Sequence, residues 1–105
     1  MGLGPVPASR KALGKIGLTL EDIDLWEINE EFVVGVLNAM NELGLDHSSV
    51  NVNGGAIAIG QPLGASGVRL IDTLSRMLKE KDKERAVGTL CVGRGQGHST
   101  VLEKA

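Results

Sequence analysis

Three stretches of the sequence hold residues whose types and spacing suit chemistry. The first is Cys91-Val92-Gly93-Arg94-Gly95-Gln96-Gly97, a lone cysteine running into alternate glycines. A thiol at a strand end, beside backbone N–H donors, can carry a proton or act as a nucleophile. The competing reading is a buried, inert cysteine in the apolar run Thr89-Leu90-Cys91-Val92. The second stretch runs from Asn53-Gly54-Gly55 through Gly60-Gln61-Pro62 to Gly64-Ala65-Ser66-Gly67. Glycines ahead of a helix can aim several N–H groups at an anion or a carbonyl oxygen. They also permit a tight crossing under a helix with no ligand at all. No Gly-Lys-Ser/Thr follows, so this is not a phosphate loop, and the dinucleotide fingerprint is missing too. The third stretch is Glu27-Ile28-Asn29-Glu30-Glu31-Phe32, polar residues where a strand gives way to a helix. In α/β folds such C-terminal strand ends receive ligands. Simple capping, with Asn29 as N-cap and Glu30 and Glu31 in the first turn, explains it equally.

The elements that must position these residues follow from periodicity. Residues 6–17 read as a helix opened by Pro7 and closed by Gly17. Thr19 and Asp22 form the ends of a short capped turn. Polar and apolar residues alternate over 24–28, which predicts a strand. Helical spacing returns over 30–43, with Phe32, Val33, Val36, Leu37, Met40 and Leu43 on one face and Gly44 as the stop. Residues 50–67 read mostly as loop. A second amphipathic helix spans 65–81 through Val68, Ile71, Leu74, Met77 and Leu78. Residues 86–92 and 99–103 read as strands joined by the glycine-rich turn into an antiparallel hairpin. The expected class is α/β, with helices packed on a small mixed sheet that ends in that hairpin.

Composition narrows the function classes. The chain has 105 residues, 11 Lys+Arg and 13 Asp+Glu, for a net charge of −2. That length suits one domain, and the slight acidity gives no reason to expect nucleic acid or an anionic membrane as partner. No apolar run is long enough to span a bilayer, and the N-terminus lacks a signal-peptide pattern. One cysteine excludes an internal disulfide and fits a cytoplasmic setting. His47, in a polar loop, and His98 lie too far from Cys91 in sequence to suggest a metal set. Ser66 and Ser99 have no nucleophile-elbow context. Of the 15 glycines, nine lie in residues 54–67 and 88–97, where backbone approaches something closely.

Taken together, these segments resemble the C-terminal part of the thiolase family, the acetyl-CoA acetyltransferases and 3-ketoacyl-CoA thiolases. Residues 1–8 look like the family's Met-Gly-x-Gly-Pro-x-Pro-Ala segment. Asn29-Glu30-Glu31-Phe32 looks like its Asn-Glu-Ala-Phe motif. Residues 51–67 are similar to its Asn-x-Asn-Gly-Gly-x-Ile-Ala-x-Gly-His-Pro-x-Gly-Ala-Ser-Gly signature, and residues 91–97 to its Cys-x-Gly-Gly-Gly-x-Gly signature. The resemblance implies an acyl-transfer site for CoA thioesters, with no cofactor beyond that substrate. In it Cys91 is the general acid/base, Asn29 holds a water in one oxyanion hole, and the Gly93 N–H contributes to the second. Gln61 stands where the family has a histidine that activates the nucleophile. Met1, Gly60 and Arg94 fall near the acyl pocket.

Three departures from the family pattern set further expectations. The family's nucleophilic cysteine belongs to an N-terminal half, and this sequence has no second cysteine. Residues 1–105 therefore read as a single partial C-terminal domain, inactive alone, with Met1 at an internal methionine of the family frame. Gln61 cannot take a proton at neutral pH, so it cannot generate a thiolate. Arg94 replaces a glycine and Glu31 an alanine. Arg94 either crowds the site or attracts an anion. Expected partners are the missing N-terminal half or a second copy of the chain, with weak binding of CoA or acyl-CoA. The alternative function is a non-catalytic CoA-thioester-binding or interaction module.

Overall fold

The computed structural model describes residues 3–105, so Met1 lies outside the described residues. Strand β2 (Arg85–Val92) is the one the others pair with. Strand β1 (Leu25–Ile28) runs parallel to it, Glu27 opposite Gly88, and β3 (Gln96–Glu103) runs antiparallel. The order β1-β2-β3 is the expected mixed sheet closed by a hairpin. The final strand begins at Gln96 rather than Ser99, because Val92 pairs with Gln96 and Cys91 with Gly97. A three-residue turn, Gly93–Gly95, suffices to reverse the chain. It does so with Arg94 and Gly95 both at positive φ, 68° and 75°.

Helix α1 (Pro5–Lys15) starts at Pro5, not Pro7, and ends in a left-handed Gly17. Helix α2 (Val33–Leu43) ends likewise at Gly44, where the Leu45 N–H reaches back to the Met40 carbonyl. A single helical turn, α3 (Ala56–Ile59), lies inside the expected loop, and α4 (Ser66–Glu80) follows it. Thr19 and Asp22 bracket a 3-10 turn, as their capping pattern predicts. No helix among the described residues is long and apolar enough to cross a membrane.

The sheet has helices on both faces. Trp26, Ile28 and Val87 face α1 and α2, packing with Val6, Leu13, Val36 and Leu43. Leu25 and Ala86 face α4, packing with Leu74, Met77 and Leu78. All four residues of β1 are thus buried, although the expected alternation over 24–28 implied a solvent-facing side. A strand covered on both sides has no solvent face to put Glu27 on. The apolar stripe of α4 is also rotated from the expected one at its start. Leu70 is buried while Val68 is 74% exposed and Ile71 half-buried. Gly88 explains this, because its missing side chain lets Leu70, Ile71 and Leu74 close over β2. On α2, Phe32, Val33 and Leu37 are exposed, and only Val36, Ala39 and Leu43 are fully buried.

Backbone crosses backbone where the segment before α1 meets β3. A Cβ on Gly97 would overlap the Gly4 carbonyl, and one on Gly4 would overlap the carbonyl of Gln96. A chain of hydroxyls, Ser9 to Ser99 (3.1 Å) to Thr89 (2.6 Å), holds the same two layers together. Gly97→Ala should therefore destabilise the chain by roughly 2–3 kcal/mol in urea unfolding, as overpacking against rigid backbone does. Gly14→Ala, a helical position with open space around it, should instead stabilise by about 0.5–1 kcal/mol.

Candidate active site

The C-terminal ends of β1 and β2 open on one side of the sheet. Asn29 follows β1 directly, its backbone N–H still bonded to the Thr89 carbonyl (2.9 Å). It is not a helix cap, because α2 begins only at Val33. Its side chain is 5% exposed and donates through Nδ2 to Gln61 Oε1 at 2.8 Å. Gln61 reaches this point because the chain turns out of α3 through Gly60, at φ 92°.

The neighbouring acidic residue is used differently. Glu30 accepts from the Asn51 amide (3.1 Å) and from the Ile57 backbone N–H (3.1 Å), stapling the glycine-rich segment to the end of β1. A Cβ on Gly55 would come within 2.6 Å of the Glu30 carboxylate, so a side chain there would have to displace it. Asn51, at φ 48°, accepts from the Ile28 N–H and donates to the Ile28 carbonyl, both at 2.8 Å. Its amide completes the edge of β1 as another strand would. Neither role was legible beforehand, since each bond joins residues more than 20 apart in sequence.

Four of the sequence-predicted residues, Asn29, Gln61, Cys91 and Gly93, line one cavity of about 360 Å³, together with Glu31 and Ser66. Gly60 and Arg94 are not among its lining residues. Arg94 is exposed, in the left-handed turn. Glu31 and Cys91 are the ionisable side chains in the lining, and no imidazole joins them: His47 lies in a separate groove against α2, and His98 contacts Thr100. Among the described residues no cluster of His, Cys, Asp or Glu is fit to hold a metal ion. The cavity offers amide donors, backbone N–H groups and a thiol, a set suited to stabilising an oxyanion next to a proton carrier.

Residues 1–104 match the family model for the thiolase C-terminal domain. The chain belongs to the thiolase family. It is 51% identical to a 3-ketoacyl-CoA thiolase of Aeromonas hydrophila and 52% identical to an acetyl-CoA acetyltransferase of Escherichia coli. Each comparison covers 99% of this chain but 28% and 26% of the relative. The chain thus spans about a quarter of the length of these thiolases. The crystal structure of human mitochondrial 3-ketoacyl-CoA thiolase superposes with a TM-score of 0.97 at 47% identity, over 99% of this chain and 26% of that one. A second human structure, with the same score, identity and coverage, is a complex with CoA.

Below the cavity lies a pair whose carboxylate, Glu27, stood in the third stretch but whose partner, Arg69, sequence reading passed over. Glu27, on the face of β1 toward α4, is fully buried and meets Arg69 Nη1 of α4 at 3.4 Å. Burial pushes its carboxyl up to about 7, against the opposing pull of Arg69. The only advance signal was an acidic residue inside a strand, where the alternation placed it on a polar face.

These groups set a pH window for stability. Asp22 and Asp46, held by the N–H groups of Thr19 and Ser48, and Asp82, held by Lys104, titrate below the usual carboxylate range. Their contribution is present above about 3.8 and is lost in stronger acid. Glu27 acts oppositely: between about 4.5 and 7 the folded chain keeps a proton the unfolded chain has released. Stability therefore falls across that interval, by on the order of 3 kcal/mol for this group. From this group, the wild-type chain should melt roughly 12–24 °C lower at pH 8 than at pH 5. Glu27→Gln, which mimics the protonated acid, should remove most of that difference in calorimetry.

Proposed function

We propose that this chain forms the C-terminal part of a thiolase-type acyltransferase site acting on CoA thioesters, and that it is inactive without the half carrying the family's nucleophilic cysteine. The observation that carries this reading is the meeting of Asn29, Gln61, Cys91 and Gly93, from three separate segments, in one cavity. In this reading Cys91 moves the α-proton of the thioester. The developing enolate oxygen is met by a donor group around Asn29 on one side, and the Gly93 N–H serves the second oxyanion. A carbanion beside a thioester carbonyl needs both a base and aimed donors, and the lining supplies both kinds of group.

Gln61 limits the chemistry. With its oxygen taken by Asn29, its amide nitrogen can still donate to an oxyanion, but it accepts no proton near neutral pH. Activation of a nucleophilic cysteine, the histidine's task in the family, is therefore lost at this position. CoA or an acyl-CoA is the proposed ligand, bound weakly. The exposed side chains of Phe32, Val33, Leu37 and Ile57 favour a covering partner, either the N-terminal half or a second copy. They and Gln61 together also support the second reading, a non-catalytic CoA-thioester-binding or interaction module.

Two assays separate these readings. The isolated chain should show no thiolysis of acetoacetyl-CoA above a buffer blank, and turnover there would overturn the claim of inactivity. Supplied with the remaining N-terminal three quarters of the Escherichia coli acetyl-CoA acetyltransferase, the Gln61→His variant should turn over about 10²–10⁴-fold faster than the unsubstituted chain, the range of a general base. Equal rates would remove Gln61 from the assigned role. Assembly without turnover in either form would favour the non-catalytic module.

A further inference from the structure

We propose that the buried Glu27–Arg69 contact is a positioning device that holds Asn29 against Gln61. Two chain segments meet at the cavity, one ending β1 and one leading into α4. They are joined at the lining by the Asn29–Gln61 hydrogen bond, 2.8 Å, and beneath it by Arg69 Nη1 to Glu27 Oε1, 3.4 Å. Glu27 lies two residues before Asn29 on β1, and Arg69 lies in the first turn of α4. A shift of either partner moves the residue that the lining uses.

The pair is not explained by stability alone. Replacing a buried ion pair with apolar residues is often neutral or stabilising, so its presence is weak evidence of a stabilising role. Nor is it fully satisfied: Glu27 Oε2 and Arg69 Nη2 are buried without a protein partner, as is Asn29 Oδ1. The contact is long and single, so its strength depends on the charge of the carboxyl. The groups around Glu27 are few. Arg69 faces it from α4, Gly88 stands opposite it on β2 without a side chain, and Glu30 acts on it from beyond β1. Arg76 and Glu80 share a cavity of about 230 Å³ with Arg69, and Arg76 is already paired with Asp72. Ionised, Glu27 draws Arg69 and the start of α4 toward β1. Protonated, it loosens that pull, and the Asn29–Gln61 contact relaxes with it. The catalytic meaning of this coupling rests on the thiolase reading, but the coupling itself is measurable without turnover.

The test follows the side-chain amide signals of Asn29 and Gln61 by nuclear magnetic resonance of the full chain from pH 5 to 9. His47→Gln, His98→Gln and Cys91→Ser are introduced so that no imidazole or thiol titrates in that range. Both amides should shift together with a midpoint near 7, tracking the Glu27 carboxyl carbon. The shift should vanish in Glu27→Gln and persist in Arg69→Lys, which keeps the cation. Amides that stay still while the Glu27 carboxyl titrates would overturn the proposal, as would a titration that survives Glu27→Gln. Should Glu27→Gln fail to fold, comparison of the carboxyl and amide midpoints in the otherwise unsubstituted chain decides the question. A failure of the acyltransferase assays leaves this readout untouched.

Discussion

The site depends on how the edge of β1 is finished. A strand end beside no further strand leaves an N–H and a carbonyl without partners, and burial makes that expensive. Here the Asn51 side chain answers both groups of Ile28, while its own N–H bonds the Trp26 carbonyl. One residue thus replaces a strand. Because Asn51 must sit there, the chain that follows must leave from the C-terminal end of β1. Glu30 then holds that departing chain at Ile57. Ten residues after Asn51, Gln61 arrives at Asn29, and α4 begins beneath it. The meeting of side chains in the cavity is the outcome of these bonds rather than of any local preference.

The glycines serve the same geometry in distinct ways. Gly4 and Gly97 let two backbones cross, Gly55 makes room for a carboxylate, and Gly88 makes room for a helix. Gly17 and Gly44 end helices in a conformation other residues adopt at a cost. Arg94 is the exception. It occupies a left-handed position where the resemblance places glycine, and a side chain there costs on the order of 1 kcal/mol. It does not line the cavity. Nothing in the structure explains this substitution.

The two uncommon features of the site pull against each other. Gln61 keeps the hydrogen-bond geometry of the lining but gives up proton transfer. Glu27, below it, is a buried carboxyl that burial pushes up to about 7. The lining presents amide donors, and a buried carboxylate lies beneath it. The exposed apolar side chains of α2 and α3 are consistent with a surface that is covered when the chain functions.

How much was legible in advance divides along the range of the interactions. Periodicity, with Pro and Gly punctuation, placed the three longer helices and the three strands, because burial of one face repeats every 3.6 or 2 residues within a segment. Helix ends at Gly17 and Gly44 and the capped turn at Thr19–Asp22 were legible for the same reason: their bonds are local. The motifs around Asn29, Gln61, Cys91 and Gly93 could be picked out by residue type. The resemblance assigned them to one acyl-transfer site, but the contacts that bring them there could not be read, nor could the burial of Glu27, the rotated stripe of α4, or the start of α2 at Val33. Asn29 and Glu30 look like helix caps in sequence, yet bonds to Gln61, Asn51 and Ile57 claim them. The sequence by itself determined the elements, the family and the residues available for chemistry. Only the tertiary structure decided which of them share a cavity and which carboxylate loses water, because those outcomes depend on contacts between segments far apart along the chain.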